Sequence, residues 1–208
     1  MDGFFMRKLW KRLVFCLLAA CFFWAGGLLA DRETLNRELI RLHVVANSDS
    51  AEDQAVKLQV RDAVLKSMQQ DLEKIADVED AKEYLRENLP KIQAIAQKAL
   101  TMAGFEEQVT VSLCREAFDT RQYDTFTLPA GVYDALRIVI GSGEGKNWWC
   151  VAFPGLCLPA TTAEFEDKAV GAGFSEGLTG AVSGKREYKV RFYFLDVMGQ
   201  LENKRFAG

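Results

Sequence analysis

Residues 39–50 read Leu39-Ile40-Arg41-Leu42-His43-Val44-Val45-Ala46-Asn47-Ser48-Asp49-Ser50. The first eight are rich in β-branched residues and alternate, which predicts a strand over 39–46. Ile40, Leu42 and Val44 share one face and His43 takes the other. Asn47-Ser48-Asp49-Ser50 ends the strand with turn residues. Ser50 with Asp53 resembles a capping box, and Glu52 and Asp53 suit the positive start of a helix. Val56, Val60, Ala63, Val64, Met68, Leu72 and Ile75 then recur at helical spacing.

Further along, a second helix is expected from near Asp77, with Asp80 in its first turn. Ala81, Leu85, Leu89, Ile92, Ala96 and Leu100 form its stripe; Pro90 is expected to kink or split it, and Gly104 to end it. Residues 108–114 (QVTVSLC) alternate as a strand, with Cys114 facing away from Val109, Val111 and Leu113. A loop over 118–131 ends in Pro129-Ala130-Gly131. Strands are expected at 132–140 and 147–153, paired as a hairpin across Gly141-Ser142-Gly143-Glu144-Gly145. Residues 171–184 hold five glycines in fourteen, which predicts a mobile segment. Tyr188, Val190, Phe192 and Phe194 alternate as a final strand or strand-helix junction, followed by a short helix over 195–204. Four or five strands and two long helices give an α+β chain. Its expected form is a two-layer sandwich with a mostly antiparallel sheet.

Upstream, Arg7, Lys8, Lys11 and Arg12 form a cationic block, and the 18 residues from Leu13 to Ala30 carry no charge. A basic block held in the cytoplasm before an apolar run is an export signal. The run is longer than the usual signal-peptide core of about 7–15 residues and shorter than the roughly 20 of a spanning helix. Residues 1–30 therefore read as a signal peptide or signal anchor, forming an N-terminal apolar leader helix, and 31–208 as one extracytoplasmic domain. Three outcomes are open: cleavage after Gly27, with Ala25 and Gly27 as the small residues; retention as an anchor; or lipidation at Cys21, where Leu18-Ala19-Ala20-Cys21 matches a lipobox.

Residues 31–208 carry 22 basic and 28 acidic side chains, a net charge of −6. Such a body repels nucleic acid. Cys114, Cys150 and Cys157 lie outside the leader. Cys150 and Cys157 flank a short segment containing Pro154 and Gly155, so a loop-closing disulfide and two buried thiols both stand as readings. The histidine and cysteines lack the spacing of a metal site, and no cofactor motif is present. Gly145-Lys146 resembles a phosphate loop, but Ile140 and Asn147 occupy the positions where glycine and Ser or Thr are needed.

His43 with Cys150 or Ser48, oriented by Asp49 or Asp53, is the one nucleophile-base pairing on offer, and would make an exported hydrolase. A structural histidine is the alternative, and no catalytic residue is assigned. Asp49, Glu52 and Asp53 are explained by helix capping rather than by a cation. Trp148-Trp149 is more informative. Adjacent strand residues face opposite ways, so one indole can enter the core while the other lies on the outer face. An apolar stiff loop follows, so Trp148, Trp149, Phe153, Pro154 and Leu156 are the candidate partner-binding residues. The alternative is that the C-terminal segment covers that second face.

Two blocks carry a family resemblance. One is Arg41-Leu42-His43-Val44-Val45-Ala46-Asn47-Ser48-Asp49-Ser50 with Glu52-Asp53-Gln54 and Lys57 through Val64. The other runs from Leu128-Pro129-Ala130-Gly131-Val132-Tyr133 through Gly141 and Gly145 to Asn147-Trp148-Trp149-Cys150-Val151-Ala152-Phe153-Pro154. Together they resemble the stage II sporulation protein R family, with Arg41, His43, Asn47, Ser48, Asp49, Asp53, Gln54, Gly131, Tyr133 and Asn147 as motif residues. Pro154-Gly155 departs from the proline pair usual there.

The resemblance implies a non-enzymatic signal of endospore formation, made in the forespore and exported to the space between forespore and mother-cell membranes. Its implied partner is the membrane-embedded sporulation aspartic protease, the sigma-E factor-processing peptidase, which removes the pro-sequence of sigma-E. The resemblance supplies no catalytic residues.

Overall fold

A computed structural model describes residues 2–123, 126–154, 167 and 169–207. The elements begin with helix α1 (Asp2–Glu38), strand β1 (Ile40–Val45), and helices α2 (Ala51–Leu72) and α3 (Val78–Met102). Strands β2 (Val109–Phe118), β3 (Arg121–Gln122), β4 (Thr127–Leu128), β5 (Gly131–Ile140) and β6 (Asn147–Phe153) follow. Helix α4 (Glu176–Val182), a 3-10 turn (Arg186–Tyr188) and helix α5 (Lys189–Phe206) close the chain. The chain is α+β, with a mixed four-stranded sheet in the order β2-β5-β1-β6 and a small β3-β4 ribbon.

β1 is buried along its whole length, with Ile40, Leu42 and Val44 on one face and Arg41, His43 and Val45 on the other. It therefore takes an interior place, parallel to β5 and antiparallel to β6. This corrects the expected hairpin of 132–140 with 147–153. The two strands are consecutive, yet β1 lies between them, so the 141–146 turn spans two strand spacings of roughly 4.8 Å each. β2 pairs antiparallel with β5 over its full ten residues, longer than the sequence suggested.

α2 and α3 cover one face of the sheet. Ile40, Leu42, Val44, Leu136 and Ile138 meet Val60, Val64, Leu85 and Ile92 there. Both helices start as expected: Ser50 Oγ accepts from Asp53 N, and the Asp77 carboxylate accepts from the amides of Glu79 and Asp80. α3 runs unbroken through Pro90, which lies on the solvent side, where the missing N–H is least costly.

The opposite face carries a second core. Leu28, Leu35, Leu39, Phe118, Tyr133, Leu178, Val182 and Leu195 meet there, brought by the end of α1, by α4 and by α5. The sheet thus has helices on both sides, a layer beyond the two-layer sandwich. Two sequence readings change with it. The alternating aromatics of 188–194 form no strand: helix α5 begins at Lys189, and its period is set by buried Leu195 and Gly199, one turn apart. Likewise, the glycine-rich stretch holds α4, capped by Ser175 Oγ on Leu178 N.

α1 also continues straight through residues 31–38. Leu28, Asp31 and Leu35 recur at helical spacing and are buried, so the packed domain begins at Leu28 rather than at residue 31. Its apolar part is exposed, and it is long and apolar enough to be a membrane anchor or a signal sequence.

Candidate functional site

The first motif block builds a joint. Asn47 Oδ1 accepts from Ser142 N at 3.0 Å, and Asn47 Nδ2 donates to Asp53 at 3.1 Å. Ser48 Oγ donates to the same Asp53 oxygen at 2.6 Å, and Asp49 Oδ1 accepts from Lys146 N at 2.7 Å. Gln54 donates to Ser48 O, and Lys57 Nζ donates to Gln54 Oε1 and Lys146 O. These bonds fasten the 141–146 turn across the end of β1. Glycine is required in that turn because a Cβ at Gly145 would stand 2.2 Å from Ser48 O, and Gly141 has φ +58° with Asn47 equally close. The Ser48 hydroxyl holds the Asp53 carboxyl below its ordinary range, against the opposing effect of burial. Burial pushes the Lys57 ammonium down, and Asp49 partly offsets this. Asn47, Ser48, Asp49, Asp53 and Gln54 are thus explained by structure.

β1 turns Arg41 and His43 to the second face. His43 lies beside Arg137 on β5 and Trp149 on β6. Its Nδ1 is 2.8 Å from Glu116 Oε2 and its Nε2 is 2.9 Å from Asn147 Oδ1. Both nitrogens face oxygens, so the ring donates to both only when doubly protonated. Arg137 stands 3.7 Å from the other Glu116 oxygen. The imidazole stacks on Trp149 at 5.5 Å, and Arg121 covers that indole at 3.6 Å. Across the same edge strand, Trp148 is 38 % exposed under Arg61 at 4.3 Å. β6 presents one indole on each face, each against a guanidinium: Trp149 is half-buried and packs on the second core, while Trp148 is exposed.

Arg41 is fully buried over the rings of Phe118 and Tyr133, and donates to Tyr123 Oη at 2.9 Å. Its Nε and Nη1 make no hydrogen bond. Tyr133 is buried too, donates to Pro129 O at 2.8 Å, and has its phenol pushed up to about 12 by desolvation. Gly131 packs on the Tyr133 ring at the start of β5.

The hydrolase pairing is not assembled. Cys150 faces α2 and α3, opposite to His43, and its sulfur is in a disulfide rather than a free thiol. Ser48 is bonded to Asp53, and His43 is bonded to Glu116 and Asn147. Among the described residues no cluster of three or more acidic, histidine or cysteine side chains could hold a metal.

Of the candidate partner residues, Trp148 is exposed and Trp149 is half-buried. Phe153 is only 5 % exposed and belongs to the core, while Pro154 is half-buried. Leu156 and Cys157 lie outside the described residues. Sequence reasoning missed Glu116, Arg121, Arg137 and Arg61. The alternation of β2 held a clue to Glu116, since it shares a face with Cys114 and Phe118.

The comparisons agree with the motif blocks. The family model described as stage II sporulation protein R matches residues 36–163. A Bacillus subtilis (strain 168) protein named stage II sporulation protein R is 37 % identical over 155 residues, 72 % of this chain and 69 % of that protein. No solved structure matches.

Proposed function

The chain belongs to the stage II sporulation protein R family, and on that premise we propose that it is an exported signal that activates a membrane-embedded aspartic protease in the mother cell. Membership gives it a role in sporulation; the signalling step and the location between the two membranes belong to the proposal. The observation that carries it is the pair of indoles at the start of edge strand β6, backed by Arg61 on one face and by Arg121 and His43 on the other. Trp and Arg are the residues that most often dominate protein interfaces. The interlocked joint behind them supplies rigidity, so little ordering is lost on docking.

An activator works by binding the active arrangement of its target better than the inactive one. Here the rigid indole edge would make contacts that only the active protease offers. The test is co-reconstitution of the protein with the peptidase in vesicles, reading pro-sigma-E cleavage. Wild type is expected to generate the processed form. Trp149→Ala, with circular dichroism unchanged, should weaken activation by about 30-fold, as loss of a hot-spot residue worth roughly 2 kcal/mol does. Equal processing and binding by this variant would overturn the assigned surface.

A further inference from the structure

The outward face of α5 is apolar where a packed helix ordinarily shows polar residues. Val190, Tyr193 and Phe194 are exposed, Tyr193 at 65 %. They occupy the first turns of the helix, and the Phe194 ring meets Trp24 of α1 edge-on at 4.8 Å. Arg191 pairs with Asp31, and Arg32 with Glu202, so α5 is fastened to α1 at this level. Exposed Arg186 and Lys189 flank the aromatics, and residues 185–195 hold four cations against Glu187.

The depth of this patch follows from the helix. Trp24 lies six residues before Ala30, where the charge-free run ends, or about 9 Å at 1.5 Å per residue. A span of roughly 20 residues ending at Ala30 puts the Trp24–Phe194 pair about 9 Å inside the outer boundary of the hydrocarbon. That position falls in the zone where interfacial aromatics and partly buried helices settle, about 5–10 Å into the headgroup and acyl boundary.

We propose that the first two turns of α5, with Trp24, are a lipid-contacting surface that seats the domain on the outer leaflet of the membrane crossed by α1. Tyr193, Phe194 and Val190 enter the interface, and Arg186 and Lys189 meet anionic headgroups. The net-acidic body is repelled by those headgroups, so this local cationic patch fixes which side faces the lipid. The inference needs α1 in a membrane and is independent of what the indole edge binds.

The test uses the full chain reconstituted in phosphatidylcholine vesicles with and without phosphatidylglycerol. Cys16, Cys21 and Cys114 are replaced by Ser, and an environment-sensitive fluorophore is attached through Tyr193→Cys or, as control, Met102→Cys at the exposed end of α3. Lipids carrying a nitroxide near the headgroup should quench the label at 193 about twofold or more over that at 102, as burial into the acyl boundary requires. Arg186→Glu with Lys189→Glu should reduce that quenching in the anionic vesicles. Equal quenching at 193 and 102 overturns the proposal. So does shielding of 193 only after a membrane protease is added, which would make the face a protein contact, or quenching indifferent to the double charge reversal.

Discussion

Tyr133 is the residue whose chemistry reports most directly on the second core. Its phenol is held neutral by burial, with its pKa pushed from 10.0 up to about 12. Below pH 10 the folded and unfolded chains both keep the proton, and the stabilisation is fully present. As pH rises toward 12 the unfolded chain ionises first, and stability falls. The loss should be of order 2–3 kcal/mol across that window, read from urea midpoints. Tyr133→Phe should flatten this alkaline slope while costing about 1 kcal/mol at neutral pH through the lost bond to Pro129. An unchanged slope would mean that the phenol is not the titrating group. Ser50, Asp53 and Asp77 were readable as helix-start residues from the sequence, because capping is a local bond within three residues. The partners of His43 were not, because Glu116 and Asn147 are 73 and 104 positions away.

Among the elements, α5 depends on one close approach. A Cβ at Gly199 would stand 1.6 Å from Ala130 O, so glycine alone lets the helix rest on the 129–131 turn. Asp196 accepts from Ala130 N and Thr120, Glu202 accepts from Val132 N, and Asn203 donates to Phe118 O. Gly199→Ala should lift the helix and destabilise the fold by about 3 kcal/mol or more, as overpacking against backbone does. Amide exchange of α5 should rise well before that of α2 and α3, which pack on the other face; equal rates across all three would show the contact to be dispensable. Tyr188, Val190, Phe192 and Phe194 alternate, a local pattern that suits a strand or strand-helix junction as well as a helix. Packing on the 129–131 turn, visible only in three dimensions, decides the matter.

At the scale of the whole molecule, α1 joins the apolar leader to the folded domain. Its end is shared between the apolar leader and the second core, and the boundary sits at Leu28. Cleavage after Gly27 would keep Leu28, Asp31 and Leu35 docked. A chain starting at Leu28 should therefore unfold like the full domain, whereas one starting at Asn36 should be weaker by roughly 3–6 kcal/mol from two lost leucines. Equal urea midpoints for the two chains would show that α1 adds nothing to the domain. The sequence by itself determined the apolar leader helix, the α+β class, the two helices with their caps, and the family, because each rests on local periodicity or on contiguous residues. Only the tertiary structure decided that β1 divides β5 from β6, that both sheet faces are covered, and that His43, Glu116, Arg137, Trp149 and Arg121 share one surface. The physical reason is that strand order and side-chain company are set by burial between distant segments, and β1, covered on both faces, takes an interior place whatever its neighbours in the chain.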